Sequence, residues 1–370
     1  MKDNALTATL ARVASVPFRL LARRPFTPPQ KLLILRPCCL SQVMLATPLL
    51  AALSEAFPSA QIDWAVSAYA RPAVATNVRL SELVDTGRVG LPEGSWQDVR
   101  ELAGRLRQQG YDTCVIPSRS SMLAAVAWLA GIPQRIGLSE RGRGFAHTLA
   151  VSPPEDEQHT AKIYLEIAHA LGIEAEPRME FYPTDEDRQA MTEFLVDEVE
   201  WLGDVPLVMI HPGGGHNPLV SQPDKQWPSE RFVLLGNHLA RSYDARILLL
   251  GDAEERELAE AIGGMMSTPA LNLAGRISLG ELGALAEMAD LYVGNDTGPT
   301  HVAAAMGCPT LALFGPSAPD RSAPYATKGQ VIALGDAPAE GPFSWEGALP
   351  ASIAVAAADK LLAKEGTVED

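Results

Sequence analysis

Short apolar runs alternate with amphipathic stretches along the first half of the chain. The runs have the length of buried strands, and the stretches between them place apolar residues at helical spacing. The strand-like runs are LLIL (32–35), QIDWAV (61–66), TCVI (113–116) and RIGL (135–138), and the helical patterns cover 42–56, 97–109, 121–130 and 159–172. Strands that alternate with helices predict a parallel sheet with helices on both faces.

The second half repeats this pattern from Pro206 onward, where the run LVMIH leads into a glycine turn. Further strand-like runs cover 246–251, 271–275, 291–296 and 309–315, and helical patterns cover 229–242, 253–265, 278–289 and 298–306. We therefore expect an α/β protein with two Rossmann-like, doubly wound parallel-sheet domains that face a central cleft.

Proline, glycine and charge mark the predicted domain boundaries. A chain of 370 residues is long enough for two domains of about 150 residues each. We assign 1–28 to a basic N-terminal arm, 29–183 to the first domain, 184–204 to a linker helix, 205–345 to the second domain and 346–370 to a closing helix and tail.

The net charge and the cysteine spacing disfavour nucleic acid as a partner and zinc as a ligand. A net charge of -15 argues against nucleic acid as a partner, since phosphate backbones bind basic surfaces. No apolar stretch reaches the roughly 18 residues of a membrane span, and we identify no signal peptide, so we expect a cytoplasmic protein. The cysteines are Cys38, Cys39, Cys114 and Cys308, and none belongs to a CxxC pair, which disfavours zinc. We expect all of them to be reduced, buried thiols.

Residues 5–24 form a basic amphipathic stretch. Leu6, Leu10 and Phe18 can share one side, and arginines occupy the other. This pattern is typical of a helix that lies on an anionic membrane surface. The alternative is a packed or disordered arm that Pro17 interrupts.

A glycine turn joins a strand to a helix within GNDTGPTHVAAAMGCPTLALFGPS, residues 294–317. Asp296 or Thr297 suits the cap of this helix, and Pro299 suits its first turn. Backbone N–H groups at a helix start attract phosphate, and Asp296 and His301 can both face the ligand. The alternative is an ordinary capped helix in which His301 is a hydrogen-bonded polar residue.

Three glycines directly follow the strand that opens the second domain: Gly213, Gly214 and Gly215. Glycine lets the backbone approach a ligand closely or adopt positive φ. Lys225 precedes the next helix, where a lysine can pair with a diphosphate. The alternative is a flexible loop with a surface lysine. Because this segment shares a domain with residues 294–317, the two together predict a nucleotide-diphosphate site.

Acidic residues follow the next strand of the second domain. Asp252, Glu254 and Glu255 are candidates for binding ribose hydroxyls, as acids beyond a strand often do in such folds. We place Glu254 in the candidate site. The alternative is that these acids stabilise the start of a helix through its dipole.

These segments resemble those of the heptosyltransferases, glycosyltransferase family nine. The resemblance extends from about Lys31 to Pro324, and its motifs are DTGPTH (296–301), the AAxGxPTLALFGPS pattern that follows, KQWP (225–228), LAGRISL (273–279) and LAGIPQRIG (129–137). It implies a GT-B fold whose N-terminal domain binds the acceptor and whose C-terminal domain binds the nucleotide sugar. It also implies an inverting transfer without metal or cofactor, from an ADP-sugar, usually ADP-heptose, to a lipopolysaccharide-type or other glycan acceptor.

The resemblance also implies roles for individual residues. On the donor side, the diphosphate and sugar would be lined by Asp296, Thr297, Gly298 and His301. Lys225 would neutralise the leaving ADP, and Ile277 would lie near the base. On the acceptor side, Arg71 and Arg119 would meet an anionic acceptor.

The segment after the first strand departs from the family. The family has leucine or isoleucine, glycine and aspartate at the tip of this turn, and the aspartate is the proposed general base. This chain has Leu40, Ser41 and Gln42 there, so Gln42 occupies the catalytic position. A carboxamide cannot remove the acceptor proton, and loss of a general base costs about 10²–10⁴ in rate.

Gln42 leaves several explanations open. The chain is a non-catalytic nucleotide-sugar-binding pseudoenzyme or regulatory module, or it is a transferase in which another group deprotonates the acceptor. An acidic acceptor would need little help. A nucleotide-sugar epimerase of similar fold is a further hypothesis, on fold analogy alone.

Overall fold

The chain folds into two α/β units, Met1–Pro177 and Arg178–Asp370. The structure is a computed structural model that describes residues 26–157, 159–214, 216–326, 330–335 and 343–363. The predicted arm at 5–24 lies outside these residues, so its membrane contact and the cytoplasmic location stay predictions. Within the described residues, no helix combines the length and the apolar character that crossing a membrane requires.

Six parallel strands form the sheet of the first unit. They are β1 Lys31–Leu35, β2 Gln61–Val66, β3 Glu82–Asp85, β4 Thr113–Ile116, β5 Gln134–Leu138 and β6 Leu149–Val151, in the order β3-β2-β1-β4-β5-β6. The helices are α1 Leu40–Met44, α2 Thr47–Ala56, α3 Trp96–Gln108, α4 Ser121–Leu129 and α5 Thr160–His169, and a 3-10 turn covers Arg71–Ala73. The central strand β1 is apolar throughout its buried length because helices cover both faces of a parallel sheet.

The second unit has the same strand order. Its strands are β7 Leu207–His211, the hairpin β8 His216–Asn217 and β9 Val220–Ser221, then β10 Arg246–Leu249, β11 Ala270–Asn272, β12 Leu291–Asn295, β13 Thr310–Leu313 and β14 Val331–Leu334. The parallel sheet runs β11-β10-β7-β12-β13-β14. The helices are α6 Asp185–Asp197, α7 Ser229–Tyr243, α8 Arg256–Met265, α9 Leu279–Ala286, α10 Gly298–Ala305, α11 Pro319–Ser322 and α12 Ala351–Leu362, with a 3-10 turn at Pro223–Lys225.

Each unit is therefore a Rossmann-like, doubly wound parallel sheet, as predicted. The hydrophobic pattern did not predict strands β3, β6 and β14, and each of them lies at an edge of its sheet. These edge strands are only three or four residues long and are partly exposed, so they give a weaker pattern than the buried central strands.

The predicted helix over 42–56 is two helices. α1 ends at Met44 and α2 begins at Thr47, because Pro48 lacks the N–H that a continuous helix would need. Thr47 Oγ1 donates to Met44 O over 2.7 Å across the break. Gln42 thus lies in α1, and the expectation that it forms the tip of a turn is wrong.

The expectation of reduced thiols is wrong for two of the cysteines. Cys38 and Cys39 are joined by a disulfide directly before α1, whereas Cys114 and Cys308 are buried thiols. Cys38 and Cys39 are also buried, so the apolar context predicted their environment. It did not predict their oxidation state, because that depends on how the backbone brings the two neighbouring sulfur atoms together.

The helix predicted as a linker belongs to the second unit. α6 packs against α9, and Arg188 Nε lies 2.8 Å from Glu287 Oε2 beyond the end of α9. Gly283 lies on α9 facing the segment before α6, where an added Cβ would be 2.5 Å from Phe181 Cε1. The boundary between the units, at Pro177, precedes this segment, whereas the sequence placed the end of the first domain at 183.

Alanine substitution of two helical glycines tests this packing with opposite expected signs. Alanine is favoured over glycine in a helix by roughly 0.5–1 kcal/mol. Nothing lies within 4 Å of a Cβ added to the exposed Gly264 of α8, so Gly264→Ala should raise the free energy of unfolding. Gly283→Ala should lower it by about 1–3 kcal/mol, because the methyl group meets Phe181. Urea unfolding of both variants measures the difference, and equal stabilisation would contradict the packing.

Candidate functional site

The strand order reverses beside β7 in the second unit. In doubly wound sheets, ligands bind at such a reversal, beyond the carboxyl ends of the strands. β7 lies between β10 and β12, so the glycine turn after β7 meets the end of β12 at this point. The two motifs that predicted a diphosphate site are therefore neighbours in the fold.

Lys225 forms an ion pair with Asp296 at the end of β12. Lys225 Nζ lies 2.7 Å from Asp296 Oδ2, and Ser317 Oγ donates to the same oxygen over 2.7 Å. The Asp296 side chain is 6% exposed and that of Lys225 is 21% exposed, so Lys225 is the more accessible member of the pair. A lysine ammonium has three N–H donors, so Lys225 can hold Asp296 and still bind an anionic ligand.

Asn295 fixes the backbone around this pair. Its buried Nδ2 donates to the carbonyl oxygens of Pro212 and Gly213, each over 2.9 Å, and its Oδ1 accepts from Trp227 N over 3.0 Å. One amide thus joins the end of β12, the glycine turn and the residues that follow Lys225. Loss of the amide would leave buried backbone groups without partners.

The chain before α12 also fixes the segment that follows Lys225. Trp227 Nε1 donates to Leu349 O over 2.9 Å. The Arg231 guanidinium donates to the carbonyl oxygens of Trp345, Ala348 and Leu349. These bonds fix the start of α7, directly after Lys225.

The Glu255 carboxylate lies against the glycine turn. It accepts hydrogen bonds from Gly214 N and Asp252 N, and its Oε2 lies 3.1 Å from His211 Nε2. Burial alone would raise the pKa of Glu255, but the hydrogen bonds and the His211 charge outweigh it and lower the pKa to about 2. A Cβ at Gly213 would collide with this carboxylate, so the turn needs glycine there.

The start of α10 offers backbone donors. Thr297 is the N-cap residue, but its side chain makes no capping hydrogen bond. The first N–H groups of a helix have no partner within the helix, and they attract anions. Gly214 has φ +111, and an added Cβ would collide with Thr297 Cγ2, so only glycine fits between the turn and α10.

The structure separates the other donor-side candidates. Glu254 is exposed, whereas its neighbour Glu255 contacts the glycine turn. His301 is buried in the first turn of α10, and Ile277 is half-buried before α9. Their assigned roles stay predictions.

Sequence reasoning missed three polar residues of this site. Asn295, Ser317 and His211 each lie at or just beyond the end of a buried strand, which is the one pattern that could have identified them.

Gln42 lies at the corresponding reversal in the first unit, just beyond β1. Its Oε1 accepts from Arg36 Nη2 over 2.9 Å and from Tyr164 Oη over 2.6 Å. The Arg36 guanidinium carbon also lies 5.7 Å from the centre of the Tyr164 ring. Burial raises the pKa of Tyr164, against the charges of Arg36 and Arg119, so its hydroxyl stays protonated and donates.

The two arginines expected to meet an acceptor have different surroundings. Arg119 follows β4 and pairs with Glu140, with Nε 3.2 Å from Oε2. Arg71 begins the 3-10 turn after β2 and is exposed. Their contact with an acceptor stays a prediction.

The sequence model of glycosyltransferase family 9 (heptosyltransferase) matches residues 99–344, more than half of the chain. The chain belongs to glycosyltransferase family 9. This confirms the resemblance based on the DTGPTH motif and the run that follows it.

Relatives and solved structures of family 9 match most of the chain. Lipopolysaccharide heptosyltransferase 2 of Escherichia coli K12 is 27% identical over 315 residues, which cover 82% of this chain and 88% of that protein. The family 9 glycosyltransferase structure from Veillonella parvula has a TM-score of 0.79 at 22% identity, covering 90% of this chain and 98% of that chain. The structure of E. coli ADP-heptose lps heptosyltransferase II has a TM-score of 0.72 at 24% identity, covering 91% of this chain and all of that one (100%). The two α/β units are those of the GT-B fold.

Replacement of Glu255 by glutamine tests what its carboxylate does. We expect Glu255→Gln to lower the free energy of unfolding at pH 7 by roughly 1–3 kcal/mol, because it removes a charged acceptor from the glycine turn. The pKa of Glu255 is lowered from its ordinary 4.5 to about 2, so its ionised form stabilises the fold above pH 4.5. This contribution is lost as the pH falls towards 2.

Urea unfolding at neutral and acidic pH measures this difference, which should shrink on acidification. Glu254→Gln is the matched control, since Glu254 is exposed and should change little at either pH. Equal effects of the two substitutions would contradict the assignment to Glu255.

Proposed function

We propose that this family 9 protein transfers a heptose from ADP-heptose to a lipopolysaccharide-type glycan acceptor, with inversion and without a metal. The observation that carries the proposal is the meeting of Lys225, Asp296 and the start of α10 at the strand reversal of the second unit. The names of the relatives support the donor and the acceptor class.

The donor's diphosphate is the group that the second unit suits best. The Lys225 ammonium supplies positive charge, and the backbone N–H groups of α10 supply aligned donors. As the bond from the anomeric carbon to ADP breaks, negative charge develops on the departing phosphate oxygen. Fixed donors aimed at developing charge are a large source of transition-state stabilisation.

The acceptor oxygen attacks the anomeric carbon from the side opposite to ADP, which inverts that centre. Gln42 stands where the family resemblance places the general base, but its amide takes up no proton at neutral pH. This observation favours a second candidate function, a non-catalytic nucleotide-sugar-binding module.

Calorimetric titration of the full chain with ADP-heptose, ADP and a UDP-sugar tests the donor site. We expect binding of the two adenine nucleotides and not of the UDP-sugar. Lys225→Ala should weaken ADP-heptose binding by at least about tenfold, because it removes the accessible positive charge. Lys360→Ala is the control, since Lys360 is an exposed lysine on α12. Wild-type protein that binds none of the three nucleotides would refute the proposed function.

Turnover of a neutral hydroxyl acceptor tests the role of position 42. We expect almost no ADP release from wild-type protein with such an acceptor, and a gain of about 10²-fold or more in Gln42→Asp. Free ADP in the reaction mixture is the measurement. Donor binding without any gain in Gln42→Asp would count against simple loss of the base and would favour the binding module.

A further inference from the structure

The Arg36 side chain carries a positive charge that the fold does not neutralise. Its described partners are Gln42 Oε1 and the ring and hydroxyl of Tyr164, and neither residue is charged. Its Nε is buried and has no hydrogen-bond partner among the described residues. Among the described residues, no carboxylate lies within ion-pair distance of the Arg36 guanidinium. Nearby Arg119, by contrast, is paired with Glu140. A half-buried charge without a counter-ion is costly, so this position suits an anionic ligand.

The Gln42 amide has a defined orientation. Arginine has only donors, so the Gln42 atom that lies 2.9 Å from Arg36 Nη2 must be the oxygen. The protonated Tyr164 hydroxyl donates to the same oxygen. Both contacts therefore fall on Oε1, and the NH₂ group is the half of the amide left for a ligand. Gln42 can donate to an acceptor oxygen and cannot take a proton from it.

We infer that the acceptor attacks through an oxygen that is already ionised, a carboxylate or phosphate oxygen held by the Arg36 guanidinium and the Gln42 NH₂ group. The inference rests on the proposed function and names the acceptor's reacting group. Arg36 and Gln42 lie where the strand order of the first unit reverses, the place where ligands bind such sheets. An aspartate at position 42 would neutralise Arg36, and glutamine leaves the charge free for the ligand.

The step balances without a base. A lone pair of the ionised oxygen forms the new bond to the anomeric carbon. The bond from that carbon to the diphosphate breaks, and ADP leaves with its electron pair. No proton is transferred, so the missing carboxylate at position 42 costs nothing in this reaction. The product is a glycosyl phosphate or a glycosyl ester.

Three probes that share one sugar ring test the anion site: glucose 6-phosphate, glucuronate and glucose. Ligand-observed NMR on the full chain, with ADP present to occupy the donor site, measures their binding. We expect at least one ionised probe to bind and glucose not to bind; the phosphate and carboxylate arms show which anion the site takes. Arg36→Gln and Gln42→Asp should each weaken that binding at least tenfold. Arg88→Gln is the control, because Arg88 is exposed and paired with Asp98.

Turnover of the same probes with ADP-heptose tests the attacking oxygen. We expect wild-type protein to release ADP faster with the bound ionised probe than with glucose, and fragmentation mass spectrometry to place the heptose on the ionised group. Gln42→Asp should reverse this preference.

Four results would overturn the inference. Three of them are glucose binding as strong as that of the ionised probes, anion binding that survives both Arg36→Gln and Gln42→Asp, and ADP release only with glucose. Anion binding without ADP release, in a protein that binds ADP-heptose, also overturns it. Failure of the proposed function is distinct, because then ADP-heptose does not bind at all.

Discussion

The amide of Asn295 holds together the backbone on which the donor site depends. It joins β12 to the glycine turn and to the chain that follows Lys225. Without the Asn295 amide, each of these segments would leave a buried N–H or C=O group without a hydrogen-bond partner. The close approach of Lys225 and Asp296 follows from this arrangement, since both sit next to residues that the amide binds. The polar chemistry of the site thus depends on a neutral, buried amide.

The two units use the same strand reversal with different electrostatics. In the second unit, Lys225 forms an ion pair with Asp296, and the Glu255 carboxylate accepts a hydrogen bond from the glycine turn. In the first unit, Arg36 meets an amide and an aromatic ring, so its charge stays unbalanced. One fold therefore holds two different electrostatic arrangements, one with an internal counter-ion and one without a counter-ion among the described residues.

The core strands and the main motifs could be predicted from the sequence because buried parallel strands are continuous apolar runs. The pairing of Lys225 with Asp296 could not, since the two residues are 71 positions apart and only the strand order brings them together. The contact of Glu255 with the glycine turn depended on where α8 begins. That helix starts at Arg256, later than the pattern indicated, so Glu255 is its cap residue and faces the turn. The contact between Gln42 and Tyr164 could not be predicted from the sequence either, because Tyr164 lies 122 residues further along.

The bonds from Trp227 and Arg231 to the segment at 345–349 have a consequence for synthesis on the ribosome. The lysine-bearing segment is made early in the second unit, but the carbonyl groups that fix it belong to residues near the end of the chain. A nascent chain can form β7, the glycine turn and β12 and still lack these anchors. The donor site therefore reaches its final geometry only once residues 345–349 have been translated, and a chain stopped before Trp345 carries the complete motif without the complete site.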